Sequence, residues 1–222
     1  MKLDQLHALL ERLRKSAIGE PEWIAEKQAF EYQHQSAKVT AVLKLARAAQ
    51  GLTALELLCR SGLFIDFGVA IQCVNDSVED AYFVLEEYPK TSSNVDKFVK
   101  AFFENTIDGY LFSETPPVPR EKIRNAVVRI LKGGQDEQTR KITENIYKTF
   151  CGYVHANYAH IMEVYNGGTR DFNLAGVPSK AQCEMRMQHV ELAANSILYC
   201  ADFVAQKLEL KEAVDEIMKA KG

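Results

Sequence analysis

Apolar residues recur every three to four positions along most of the chain, the period of a helix with one face against a core. Leu3, Leu6, Leu10 and Leu13 mark a first helix that ends near Gly19. Pro21, flanked by Glu20 and Glu22, reads as a helix start. A first-turn proline gives up no hydrogen bond, and acids suit the positive helix end. A second helix is therefore predicted from about 21 to 50, with a break at Gly51 and Thr53. The third runs from about 53 to Tyr88, before Pro89. Its stripe of Cys59, Leu63, Phe67, Ala70, Val74, Ser77, Ala81, Val84 and Tyr88 is long and narrow, like a bundle seam.

A fourth helix is predicted over about 94–113, halted by the prolines at 116, 117 and 119. A fifth covers about 120–132, before Gly133 and Gly134, and a sixth about 136–165, before Gly167 and Gly168. Residues 169–178 lack the helical period and read as a short extended lid. Ser179 is a natural N-cap for a last helix over about 179–219. There Cys183, Met187, Val190, Ala194, Ile197, Ala201, Val204 and Leu208 alternate spacings of four and three, a heptad seam. The whole predicts an all-α fold, a bundle of four or more long helices with short peripheral ones. One domain spans 1–222, with N-terminal helices over 1–50 and a core bundle over 53–219.

A net charge of −3 excludes a uniformly basic nucleic-acid binder, though not a local basic face. Charge is unevenly placed. Residues 51–90 hold seven acids against two bases, and residues 119–148 hold eight bases against four acids. The two segments read either as solvated faces or as helices that pair across the bundle. No uncharged run approaches the ~20 residues of a membrane span, so no membrane association is expected. The start MKLDQLHALLERLRKSA has charges too closely spaced for a signal peptide. Five cysteines, none in a CxxC pair, fit buried thiols in a reducing cytoplasm.

The stretch from Tyr147 to Tyr158 is the most distinctive. Lys148 and His155, seven residues apart, share a helix face about two turns apart. A cation there can hold a phosphate while a neutral imidazole takes a proton from an attacking hydroxyl. The alternative is a partly buried histidine bonded to a neighbouring helix. Gly152 sits inside the same helix, at a cost of about 1 kcal/mol against Ala, which points to a close approach by a helix or a ligand. In the third helix Arg60, Asp66, Asn75, Asp76, Glu79 and Asp80 interrupt an apolar pattern. Arg60 and Asp66 are candidate ligand contacts, and Tyr158 a candidate base-stacking residue. An inward-facing Asp80 would need a partner. Glu31–Tyr32–Gln33–His34 is a lone Glu-x-x-His motif, short of the pair a di-iron bundle needs, and no cofactor or metal is expected. Nucleotide-loop, hydrolase and zincin motifs are absent.

The segment Lys148-Thr-Phe-Cys-Gly-Tyr-Val-His155-Ala-Asn157 is similar to one in uncharacterised bacterial helical proteins, some linked to phage defence. It also loosely resembles the HEPN domains. That resemblance implies an all-α homodimer with a metal-independent RNase site at the dimer groove. His155 would match the HEPN histidine as general base on an RNA 2′-hydroxyl, with Lys148 standing where an Arg would be and Thr149 where a polar residue usually follows. Two functions stay open. One is a HEPN-like RNA-binding or RNA-cleaving protein. The other is a non-catalytic helical module that binds a protein partner or small ligand.

Overall fold

The computed structural model describes residues 2–104 and 115–221, and the fold is all-α, with two short β-hairpins. Helix α1 (Leu3–Ile18) buries Leu6, Leu9, Leu10, Leu13 and Ala17 on one face and ends at Gly19, whose φ of 68° suits glycine. A second helix does not follow directly. Glu22–Ile24 (β1) and Ala29–Glu31 (β2) form an antiparallel hairpin that pairs Trp23 with Phe30, ring centroids 5.0 Å apart. Cross-strand aromatics and β-propensity outweigh the Pro21 start signal here. Glu31 thus lies on a strand and His34 beyond it, so the Glu-x-x-His spacing loses its helical meaning.

Helix α2 (Ala37–Arg60) starts at Ser36, whose hydroxyl accepts from the Val39 amide, and runs straight through Gly51. Gly51 is a crossing point: a side chain there would collide with Val74 of the next helix. The chain turns at Ser61–Leu63 and returns as α3 (Phe64–Val84), packed along α2. Helix α4 (Ser93–Glu104) packs on both. The rest of the predicted fourth helix lies outside the described residues.

Helix α5 (Arg120–Lys132) has the predicted bounds, between Pro119 and a left-handed Gly133. Helix α6 (Glu137–Val154) starts at Asp136 and stops well before 165. At Ala156, φ 49°, the chain folds back into the short α7 (Tyr158–Met162). Gly152 makes this possible, because any side chain there would collide with the His160 ring. The close neighbour predicted for Gly152 is therefore the chain's own next turn.

Tyr165–Asn166 (β3) pairs with Asp171–Phe172 (β4), so the non-helical segment is a hairpin and a loop. Helix α8 (Lys180–Lys207), capped by Ser179, ends before α9 (Lys211–Lys221), with Glu209 at φ 56° between them. The heptad seam serves the chain's own core: Val190, Ile197, Ala201 and Val204 are buried against α2 and α3. Helix α3 is the hub, touched by α2, α4, α5, α6 and α8. Among the described residues no helix is long and apolar enough to cross a membrane.

Candidate functional site

Helices α6 and α8 both lean on α3 and leave a groove between them, with α3 as floor. Two cavities mark it. One, about 320 Å³, lies over Gln72, Asn75, Val78, Glu79 and Tyr82, walled by Leu131, Ile146, Tyr147, Ser196 and Tyr199. The other, about 580 Å³, lies over Phe67 and Gly68, walled by Phe150, Tyr153, Met185, Arg186 and His189.

The second half is held by small and charged groups. Gly68 lets the Tyr153 ring lie on α3, where a side chain would collide with it. The Tyr153 hydroxyl donates to Glu163 (2.7 Å), and Arg186 of α8 donates to the other oxygen of that carboxylate (2.7 Å). Arg186 also stacks 3.9 Å from the Phe64 ring centroid. Burial and the Glu163 carboxylate push the Tyr153 hydroxyl up to about 12, so it stays a donor at neutral pH. His160 packs 3.9 Å from the Tyr153 ring, its Nδ1 buried without a hydrogen-bond partner.

Beside the first half lies a charge cluster. Asp80, 4% exposed, pairs with Lys44 of α2 (2.8 Å) and with Arg120 of α5. Arg120 also binds Asp76 (2.8 Å) and Glu79 (2.6 Å). Arg120 is thus shared among three carboxylates, with Lys44 on Asp80 and Arg124 acting on Glu79 from further off. Burial outweighs the shared Arg120 and pushes Glu79 up to about 7; it also raises Asp76. Arg124 stacks on Tyr147 at 4.1 Å, and Gln72 Oε1 is buried without a partner. The acidic segment 51–90 and the basic segment 119–148 thus meet across the bundle.

The candidate site residues Lys148, His155, Tyr158, Arg60 and Asp66 do not line this groove. Lys148 is 67% exposed and held by Glu144 at 2.6 Å. It lies two residues beyond Ile146, so about 200° around α6 from the groove wall. His155, exposed at the C-cap of α6, is nine residues from Ile146 and again on the far side. The two do share that outer face, about 10 Å apart along the axis. Tyr158 is 80% exposed on α7. Arg60 pairs with Glu56 (2.6 Å) at the end of α2, and Asp66 is exposed in the first turn of α3. Among the described residues, no three His, Cys, Asp or Glu are placed to share a metal ion.

Two features escaped the sequence reading. Met185, Leu192 and Tyr199 form a second stripe on α8, seven residues apart and about 200° from the buried seam. All three are exposed, Leu192 by 64% and Tyr199 by 59%. Their spacing was a readable signal, masked by the stronger seam. The other is a contact between Cys59 and Cys183, which no local pattern announces. Comparison of the chain with protein-family models, curated proteins and solved structures finds no significant match.

Proposed function

We propose that this chain is a non-catalytic helical interaction module, and that a second copy of itself occupies the groove between α6 and α8. The carrying observation is the groove's exposed apolar lining. Leu131 and Ile146 on one wall, and Met185 and Tyr199 on the other, stay exposed in its two cavities. Covering each would contribute roughly 1 kcal/mol, about half the value of full burial.

The seven-residue spacing of Met185, Leu192 and Tyr199 on α8 suits a helix laid lengthwise. The chain itself supplies one: the Met185–Leu192–Tyr199 stripe is an apolar ridge on an otherwise polar face of α8. A two-fold arrangement lets each ridge sit in the other copy's groove, the same patch serving both subunits.

The outer face of α6 supports this over an RNA-binding reading. Lys148 is paired with Glu144, Arg140 with Glu137 and Glu144, and Lys141 with Glu137. Each cation already has an acid one turn away, so few charges remain to displace counterions from a phosphate backbone.

Sedimentation from 1 to 100 µM tests the proposal. Wild type should reach twice the 25.0 kDa chain mass. Leu192→Glu combined with Tyr199→Lys should stay at the chain mass with unchanged helical circular dichroism. A wild type that stays monomeric throughout overturns the self-association. Cleavage of labelled RNA in EDTA, lost in His155→Ala, would replace the module with a metal-independent RNase.

A further inference from the structure

We propose that Cys59 and Cys183 form a redox-sensitive thiol pair that a hydroperoxide converts to a disulfide, stapling the end of α2 to the start of α8. The inference is independent of the groove. It rests on contact, access and surroundings.

Cys59 lies in the last turn of α2, fully buried, and Cys183 in the second turn of α8. Their sulfurs are 3.3 Å apart, and the Cys59 thiol also meets the Cys183 carbonyl at 3.2 Å. A disulfide needs about 2.05 Å, so the sulfurs must close by little more than 1 Å. Of the other thiols, Cys200 reaches the Val78 carbonyl and Cys151 the Tyr147 hydroxyl.

Both sulfur-bearing residues line a cavity of about 520 Å³, together with Arg60, Gly62, Gly176 and Lys180. Its outer wall is the 175–179 segment, pinned to the α2–α3 corner by a hydrogen bond from the Val177 amide to the Gly62 carbonyl (2.9 Å). Two glycines permit that crossing. A side chain at Gly62 would strike the Val177 backbone, and one at Gly176 would strike the Ser61 carbonyl. The corner therefore holds the two thiols together at the bottom of an open pocket.

Access sets the order of events. Cys183 is partly exposed in the cavity and meets the oxidant first. Its sulfur attacks the peroxide: an S–O bond forms, the O–O bond breaks, and the Cys183 proton leaves with the departing oxygen as water or alcohol. Burial pushes the Cys59 thiol up to about 12, so it waits as a protonated thiol. It then attacks the Cys183 sulfenic sulfur, forming the S–S bond, and its proton joins the leaving oxygen as water. Two thiols lose two electrons and the peroxide gains them.

The test titrates the reduced full-length chain with hydrogen peroxide. Free thiols should fall from five to three per chain, with a mass loss of about 2 Da and a peptide joining Cys59 to Cys183. Because the closed loop is long, with 124 positions separating the two cysteines, the melting temperature should rise by roughly 10 °C. Cys59→Ala should form no crosslink and leave Cys183 trappable by dimedone. Cys183→Ser, at the less buried position, should keep four thiols at the same dose, and Cys200→Ser should still crosslink. A count that stays at five in the wild type, or a linked peptide containing another cysteine, overturns the proposal.

Discussion

Helix α3 meets α2 and α5 in opposite ways. Against α2 the contact is mostly apolar and close, with Gly51 set on Val74 and Leu52, Leu55 and Cys59 buried beside it. Against α5 the apolar contact of Ile123, Ala126 and Val127 is supplemented by charge: Asp76, Glu79 and Asp80 converge on Arg120, with Lys44 reaching in from α2. The first seam carries one ion pair, Lys44 with Asp80, and otherwise rests on apolar packing. The second depends on one guanidinium shared among three carboxylates. One seam leans mainly on apolar packing and the other on shared charge.

Removing that guanidinium is the sharpest way to break the comparison. Arg120→Ala leaves three carboxylates with Lys44 as their one remaining ion-pair partner and Arg124 acting on Glu79 from further off, and uncompensated buried charge is costly. Unfolding in urea at pH 7 should show a loss of about 3–5 kcal/mol. Part of it should return at pH 5, where the orphaned acids take up protons. A loss below 1 kcal/mol would show that water solvates the cluster and that the α5 seam rests on its apolar residues.

Some of this was legible in the sequence. The charge imbalance between 51–90 and 119–148 anticipated the pairing, because segments of opposite sign on neighbouring helices have few other places to go. Helix α5 was legible to the residue, since amphipathic period, Pro119 and Gly133 agree. Gly51 misled, because its helix cost of about 1 kcal/mol is small beside the interhelical packing it permits. The fold-back after Val154 was hidden for the opposite reason: no Pro or Gly stands between Val154 and Tyr158, and it depends on the His160 ring resting on Gly152 and Tyr153. Tertiary contact also moved the candidate site. Lys148 and His155 do share a face, but the groove opens on the other side of α6, which only the packing of α6 on α3 reveals.

Glu79 gives a smaller effect that sharpens the contrast between the seams. Its carboxyl is raised from 4.5 to about 7, chiefly by burial. The folded state therefore binds the proton more tightly than the unfolded chain, and stability is lost as pH rises from about 4.5 through 7. Glu79→Gln cannot lose a proton there. The stability of the variant relative to wild type should climb by about 2–3 kcal/mol between pH 5 and pH 8, measured by urea unfolding at each pH. Lys44, Asp76, Asp80, Arg120 and Arg124 surround the site in both proteins, so the difference between the two curves isolates Glu79. Parallel curves would mean that Glu79 is ionised in the fold at every pH and that Arg120 suffices for all three acids.

The smallest effect belongs to the outer face of α6. Lys148→Ala with His155→Ala removes an exposed cation and an exposed imidazole, and leaves the backbone amide of residue 155 bonded to the Cys151 carbonyl. The lost Glu144 pair is a one-turn surface bridge, worth about 0.3–0.5 kcal/mol. Stability should change by no more than about 0.5 kcal/mol, and the sedimentation behaviour should match wild type, since both residues face away from the groove. That near-silence separates the two functional readings. If the chain works through the α6–α8 groove, this face is free to vary. If it cleaves RNA, the same double variant should abolish cleavage in EDTA while folding as well as wild type. A result of that kind would relocate the functional surface to the far side of α6 and leave the groove as packing alone.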